Sequence, residues 1–287
     1  MVTSKKVFAG VYVYLILFIM YLPILVLIAF SFTEATNVGV WTGFSFNLYA
    51  RLFQSEEIMV ALGNTLIIAV VSAVISTLLG TIGAIGTFYS RKRVKKAIEA
   101  VTQIPIVNAE IVMALSLTVL FVFAGTFFFS GQSIFGFWTL LVGHVILSLP
   151  FVYISVRPKL MQLDPHLYEA ALDLGATPRK ALWSVIVPQI LSGIFSGFLL
   201  ALTLSLDDFI ITAFTRGTGL LNGEGTIETL STLVQAKIKR GPIPPEMRSL
   251  TTFIFLIVLL IVLGITLYRN KKSHVKKIRK GREHHEF

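Results

Sequence analysis

Apolar residues run in long blocks along this chain, and the polar ones gather between them. Six blocks stand out, at about 8–30, 61–89, 97–123, 138–156, 188–214 and 250–268. At 1.5 Å per residue, about 18 or more apolar residues in a helix cross the ~30 Å hydrocarbon layer. The pattern predicts an all-α, polytopic membrane protein, with six transmembrane helices packed into one bundle that makes 1–287 a single transmembrane domain. Lys5 and Lys6 ahead of the first block imitate a signal peptide. The block is too long for one, and no small-residue cleavage site follows, so it is read as a retained first span.

Shorter segments between the blocks have helical spacing of their own. NLYARLFQSEEIM (47–59) mixes apolar and charged positions, and TIETLSTLVQAKIKR (226–240) spaces Ile227, Leu230, Leu233, Val234 and Ile238 as one stripe. GPIPP (241–245) ends the second and leads into the last block. Each is read as an interfacial helix covering the mouth of the bundle, with a partner surface as the alternative. Gly80, Gly83 and Gly86, and the Gly193–Gly197 pair, are small residues that let helix backbones approach closely.

Charge decides orientation. Lys and Arg number 2 at the N-terminus, 5 in 91–96, 4 in 157–187 and 8 in the tail 269–287, against 1, 0 and 5 in the alternate loops. The excess places both termini and the 157–187 loop in the cytoplasm. The five in the long 215–249 loop run against the trend, and a loop of that length can carry its own helix. The net charge of +10 is therefore a matter of cytoplasmic face and anionic lipid rather than nucleic acid. The chain has no cysteine, which excludes disulfides, thiolate metal sites and cysteine nucleophiles.

The 157–187 loop carries the most specific local pattern. Asp164-Pro165 is a helix start, Leu163, Leu167, Ala170, Ala171 and Leu174 form a stripe, and Gly175 is a stop. Thr177-Pro178 starts a second helix that runs to Pro188, where the fifth span begins. Such an elbow suits transmission of a push into the membrane, although a connector lying flat on its own bundle would read the same way. EAALDLGATPRKALWSVIVP resembles the EAA motif of ABC-importer permeases: EAA, three residues, Gly, nine residues, then I-x-L-P. Glu169, Ala170, Ala171, Gly175 and Pro188 match, while Val185 and Val187 replace Ile and Leu. The resemblance implies a coupling helix that docks on a cytoplasmic ATPase.

Ionisable residues at span depth are costly and are candidates for function. Four occur here: Glu110, His144, Asp207 and Asp208. Counted along uninterrupted helices, Glu110 sits roughly 20 Å from the cytoplasmic end of its span and Asp207 roughly 28 Å from Pro188, with His144 about 9 Å below the outer end. A shared outer cavity lined with carboxylates would suit a cation. The alternatives are local: Asp207 and Asp208 capping a break in the fifth span, Glu110 pairing with a helix neighbour, His144 bonding helix to helix. His284 and His285 belong to the solvated tail, and no metal site is expected.

NAEIVMALSLTVLF (108–121), WTLLVGHVILSLPFVYISV (138–156) and LTLSLDDFIITAF (202–214) are similar to the spermidine/putrescine importer permeases, best to the second permease of such systems. The family usually has Pro-Asp where Ala109 and Glu110 stand, so the acid is kept and the proline kink is lost. The resemblance implies the type I ABC-importer permease fold in a bacterial inner membrane, with Asp207 and Asp208 on a cation's route. Implied partners are a second permease in a heterodimer, two cytoplasmic ATPase subunits and an extracytoplasmic binding protein. No sequence here resembles a phosphate-binding loop, so no cofactor is expected on this chain, and ATP with Mg belongs to the ATPase.

Three rival functions remain. The same machine could carry another small solute, such as ferric iron or thiamine. An ion-coupled secondary transporter would ordinarily show an internal repeat, and none is found. An intramembrane aspartyl protease needs carboxylates on facing helices, whereas Asp207 and Asp208 are adjacent.

Overall fold

A computed structural model describes residues 2–35, 39–164, 166–217, 227–241, 244–260 and 263. Pro165, the 218–226 part of the long loop, the end of the sixth block and the basic tail with His284 and His285 lie outside the described residues. The described residues contain helices and connections, with no strand among them.

In chain order the helices are α1 (Val2–Phe30), α2 (Asn47–Gln54), α3 (Glu56–Phe88), α4 (Lys92–Val107), α5 (Glu110–Phe128) and α6 (Phe137–Met161). They continue with α7 (Leu167–Asp173), α8 (Pro178–Ala181), α9 (Val187–Asp207), α10 (Ile210–Thr215), α11 (Leu230–Arg240) and α12 (246–260). Five stretches are long and apolar enough to cross a bilayer: Gly10–Phe30, Glu56–Phe88, Glu110–Phe128, Phe137–Met161 and Pro178–Asp207. Contacts divide the chain into two units, one of 1–56 with 240–287 and one of 57–239.

Within the second unit, α6 and α9 form the principal pair. Val152, Tyr153, Val156 and Leu160 of α6 pack with Ile190 and Ala201 of α9 and with Ala73 and Ala84 of α3. Glycine sets the approach. A Cβ on Gly197 would lie 3.1 Å from the Val152 Cα, and one on Gly193 would lie 2.7 Å from Lys159 Cγ and 3.0 Å from the Ser155 carbonyl. One on Gly80 would meet Val152 at 2.8 Å, whereas Gly83 and Gly86 face open space. The expected glycine stripe of α3 thus reduces to Gly80. Gly197→Val is expected to destabilise the chain by about 1–3 kcal/mol through overpacking, and Gly83→Ala to be neutral or slightly stabilising. Thermal unfolding of the detergent-purified protein separates the two.

Polar side chains within α3 are satisfied on their own helix. Thr65, Thr77 and Thr87 donate to carbonyls four residues back at 2.8, 2.6 and 2.6 Å. Their hydroxyls therefore enter an apolar medium already bonded.

Three boundaries differ from expectation. The single span expected at 97–123 is two helices, α4 and α5, because Asn108 and Ala109 are extended, with ψ of 145° and 133°. The expected 188–214 span breaks similarly, between α9 and α10 at Asp208 and Phe209. Pro188, read as the start of the fifth span, interrupts nothing. The helix runs from Pro178 to Asp207 through a π-helical turn at Leu182–Ile186, where the Val187 N–H reaches back five residues to the Leu182 carbonyl. Proline lacks an N–H and crowds the carbonyl four residues earlier, and the widened turn makes room for its ring.

The loop helix expected at 47–59 also divides, as α2 ends at Gln54 and α3 starts at Glu56. The described part of the 226–240 segment is as expected, with α11 burying Leu233.

Candidate functional site

Breaking a helix within a bilayer exposes backbone groups that need partners. At the second break those partners are side chains from three helices. The Asp208 carboxylate caps α10: Oδ1 accepts from the Ile211 N–H at 3.2 Å, and Oδ2 from the Thr212 N–H at 2.7 Å and the Thr212 hydroxyl at 2.8 Å. The Asp208 carbonyl accepts from the Ser231 hydroxyl at 2.8 Å. At the far end of α10, Thr118 donates to the Phe214 carbonyl at 3.1 Å and Thr139 to the Thr215 carbonyl at 2.9 Å. A six-residue helix, too short to persist alone, is held at both ends.

His144 extends this arrangement. Its Nε2 lies 2.9 Å from the Thr212 hydroxyl and its Nδ1 2.7 Å from the Ser205 hydroxyl, which also accepts from Ser72 at 3.0 Å. One proton order satisfies every member: Ser72 to Ser205 to Nδ1, then Nε2–H to Thr212 to Asp208. Nε2 and Asp208 Oδ2 are 3.6 Å apart, with the threonine hydroxyl bridging them. Ser72, Ser205, His144, Thr212 and Asp208 are all buried, and together they tie α3, α6, α9 and α10. His144 is thus a helix-to-helix connector.

Glu110 and Asp207 are placed differently. Glu110 is the first residue of α5, next to the other break, and Asp207 is the last of α9. The Glu110 carboxyl adjoins that of Asp208, with Asp207 within electrostatic range. The N-termini of α5 and α10 meet here across Met113, Ala114, Leu117 and Ile211, so that two helix-dipole positive ends face the three acids. Asp207 is exposed and Glu110 half-buried. Among the described residues, neither forms an ion pair with a lysine or arginine. The depths reckoned along unbroken helices give way to this geometry: both acids lie at helix ends, at paired breaks. Pairs of interrupted helices are how membrane proteins bring free backbone dipoles and charges to a solute.

The elbow occupies 164–188. The Asp164 carboxylate accepts from the His166 N–H at 3.0 Å, ahead of α7. Gly175 has φ of +83°, and with it the Gly175 N–H reaches the Leu172 carbonyl at 2.8 Å and the Ala176 N–H reaches the Ala171 carbonyl at 3.0 Å. Thr177 caps α8 through the Lys180 N–H at 3.4 Å. The expected stripe divides between two faces. Leu163, Leu167 and Ala171 pack inward, while Glu169, Ala170 and Leu174 are exposed, Leu174 at 89%. Tyr168 meets Tyr89, at the end of α3, with ring centroids 5.2 Å apart, and burial raises the Tyr89 phenol's pKa above its ordinary value. The Arg157–Glu99 pair at 2.5 Å joins α6 to α4. A sequence reading could not have found these tyrosine and ion-pair contacts, which join distant segments without any local motif.

A membrane-embedded helical chain with paired helix breaks and an exposed cytoplasmic-type elbow is the architecture of a transport permease. Residues 76–280 match the family described as "binding-protein-dependent transport system inner membrane component", and the chain belongs to that family. It is 31% identical to the spermidine/putrescine transport system permease protein PotC of Haemophilus influenzae, over 94% of this chain and 100% of that protein. It is 33% identical to the putrescine transport system permease protein PotI of Escherichia coli strain K12, over 92% of each. Among solved structures, a bacterial ABC transporter that imports the polysaccharide alginate has a chain with the same fold. The TM-score is 0.72 at 19% identity, covering 91% of this chain and 94% of that one.

Proposed function

We propose that this chain is one permease subunit of an ATP-driven importer for polyamines such as spermidine and putrescine, multi-pass in a bacterial inner membrane. The observation that carries the substrate class is the pair of acids, Glu110 and Asp207, that gather at the helix breaks with no basic side chain paired to them among the described residues. A solute with several ammonium groups supplies the missing charge, and the printed names of the relatives agree with that chemistry. Asp208 and His144 hold the break, and Asp207 and Glu110 face the solute.

In this reading both termini and the elbow are cytoplasmic, as the basic residues favour, and six spans cross the membrane. Glu169, Ala170, Ala171 and Gly175 seat the elbow on an ATPase subunit, and Pro188 with its π-helical turn carries the motion into α9. The chain is not itself an enzyme: ATP and Mg bind the two ATPase subunits. A second, related permease completes the pathway, and an extracytoplasmic protein delivers the solute.

The test is labelled spermidine uptake by cells expressing this permease with its partner permease, ATPase and binding protein. Putrescine and ferric iron serve as competitors. ATP-dependent uptake blocked by putrescine and indifferent to iron is the expected result. Assembly of an intact ATPase-bound complex without polyamine uptake would retain the permease and discard the substrate.

A further inference from the structure

The segment joining α1 to α2, within the first unit, has a second acidic feature that the pathway does not use. Glu34 Oε1 accepts from the Ser45 hydroxyl at 2.6 Å and from the Asn47 side-chain amide at 2.5 Å. Thr33 and Thr42 bond across the same loop at 3.0 Å, and the Ser45 N–H closes on the Phe32 carbonyl at 2.7 Å. The carboxylate is therefore oriented by its loop and held below the usual carboxylate pKa range, chiefly by the Ser45 and Asn47 hydrogen bonds. Neither donor occupies Oε2.

Glu34 lines a cavity of about 470 Å³ with Thr42, Gly43, Phe44 and Ser45. Gly43, at φ of +115°, makes the turn that returns Phe44 to stack on Phe32, ring centroids 5.1 Å apart. Phe46 meets both rings edge-on at 5.6 and 5.1 Å. Phe44 and Phe46 nevertheless remain 65% and 62% exposed. Aromatic residues at the end of a span ordinarily anchor the headgroup region. That role does not need a fixed carboxylate opening into a cavity beside them. A carboxylate oxygen with aromatic walls is a receptor for an alkylammonium group, which takes a charge-assisted hydrogen bond and a cation–π contact together. Arg51 is the nearest opposing charge, the weakest influence on Glu34, and it lies 4.0 Å from Glu246.

We infer that Glu34, with Phe44, forms a second ammonium-binding subsite, which receives one end of the solute before it reaches the acids at the helix breaks. The inference rests on the polyamine reading above, and it adds a residue and a loop to which neither the EAA motif nor the intramembrane acids point. An extended polyamine, with charges separated by an alkyl chain, suits a route built from spaced carboxylates.

Glu34→Gln isolates the charge, because the amide oxygen still accepts from Ser45 and Asn47 and the loop is kept. In the fully assembled transporter this variant is expected to raise the uptake KM for spermidine roughly three- to tenfold, the scale of one exposed ion pair with one cation–π contact. The maximal rate and complex assembly should be unchanged, and Phe44→Leu should move KM the same way by less. Active polyamine uptake with an unaltered KM in Glu34→Gln overturns the subsite and spares the substrate class. Weaker association with the substrate-free binding protein in that variant, at constant spermidine KM, means the carboxylate reads a protein surface and also overturns it. Should wild-type complexes move no polyamine, the substrate reading fails. Saturation-transfer NMR between spermidine and the purified full-length chain then decides: a signal lost in Glu34→Gln supports the cation site, and equal signals overturn it.

Discussion

Asp208→Asn is expected to lower the thermal stability of the purified chain and the yield of assembled complex. Asp207→Asn should leave both intact and reduce polyamine uptake. The two residues are neighbours with the same side chain, so local structure must account for the difference. Three donors converge on the Asp208 carboxylate, and its side chain is fully shielded. Asparagine offers one oxygen and one NH2, so a donor would be turned against a donor in a buried site. Leaving such a group unsatisfied costs about 1–3 kcal/mol, and the His144 chain through Thr212 loses its terminal acceptor as well. The exposed Asp207 caps nothing, and its substitution removes only charge. Loss of one charge-assisted hydrogen bond to an ammonium group corresponds to roughly a tenfold fall in uptake efficiency. Equal melting temperatures for the two variants would reject this division of labour.

The division also recasts what a pair of adjacent intramembrane acids means. Both acids are costly in lipid, and sequence alone treats them alike. The helix break separates them, because a carboxylate one residue past the end of α9 can reach the free N–H groups of α10 and its predecessor cannot. One acid makes the break stable, and stability of the break is what leaves the other available at a helix end. His144 belongs to the first task. Its ring bonds α6 to both α9 and α10 with no ring nitrogen left for a solute.

Much of the fold was legible because bilayer thickness dictates apolar length. The stretches starting at Gly10, Glu56, Phe137 and Pro178 follow directly from their blocks. The break before Glu110 was not legible, since proline, the residue that announces such a break, is absent at 109. The backbone is extended there nonetheless, so the family's lost proline is not what makes the break. Its position shows only when α10 is seen packing beside α5, a long-range contact without local sequence signal. Pro188 misled in the opposite sense: its ring forbids an ordinary helical turn, and the chain answered with a wider turn instead of an end. At the elbow, by contrast, Gly175 and Thr177 were readable, because glycine at positive φ and a threonine cap act within a few residues.

Gly175 therefore supports the second large effect. A Cβ added there would meet nothing within 4 Å, so any loss on substitution comes from the backbone and not from crowding. At φ of +83° an ordinary L side chain costs about 1–2 kcal/mol, a β-branched one more, and asparagine less. Gly175→Val is expected to lower ATP-dependent uptake by about tenfold or more, as the elbow leaves the geometry that presents Glu169, Ala170 and Leu174 on one side. Gly175→Asn should retain much of the activity, since asparagine tolerates the left-handed region. Membrane insertion and the chain's own melting temperature should hardly move, because the turn lies outside the α6–α9 core. ATPase co-purification with the permease locates the fault. Loss of ATPase in Gly175→Val assigns the turn to docking, and retained ATPase with lost uptake assigns it to transmission. Wild-type uptake in the valine variant would mean that the path from motor to α9 does not depend on the angle between α7 and α8, and the coupling role of this elbow would have to be abandoned.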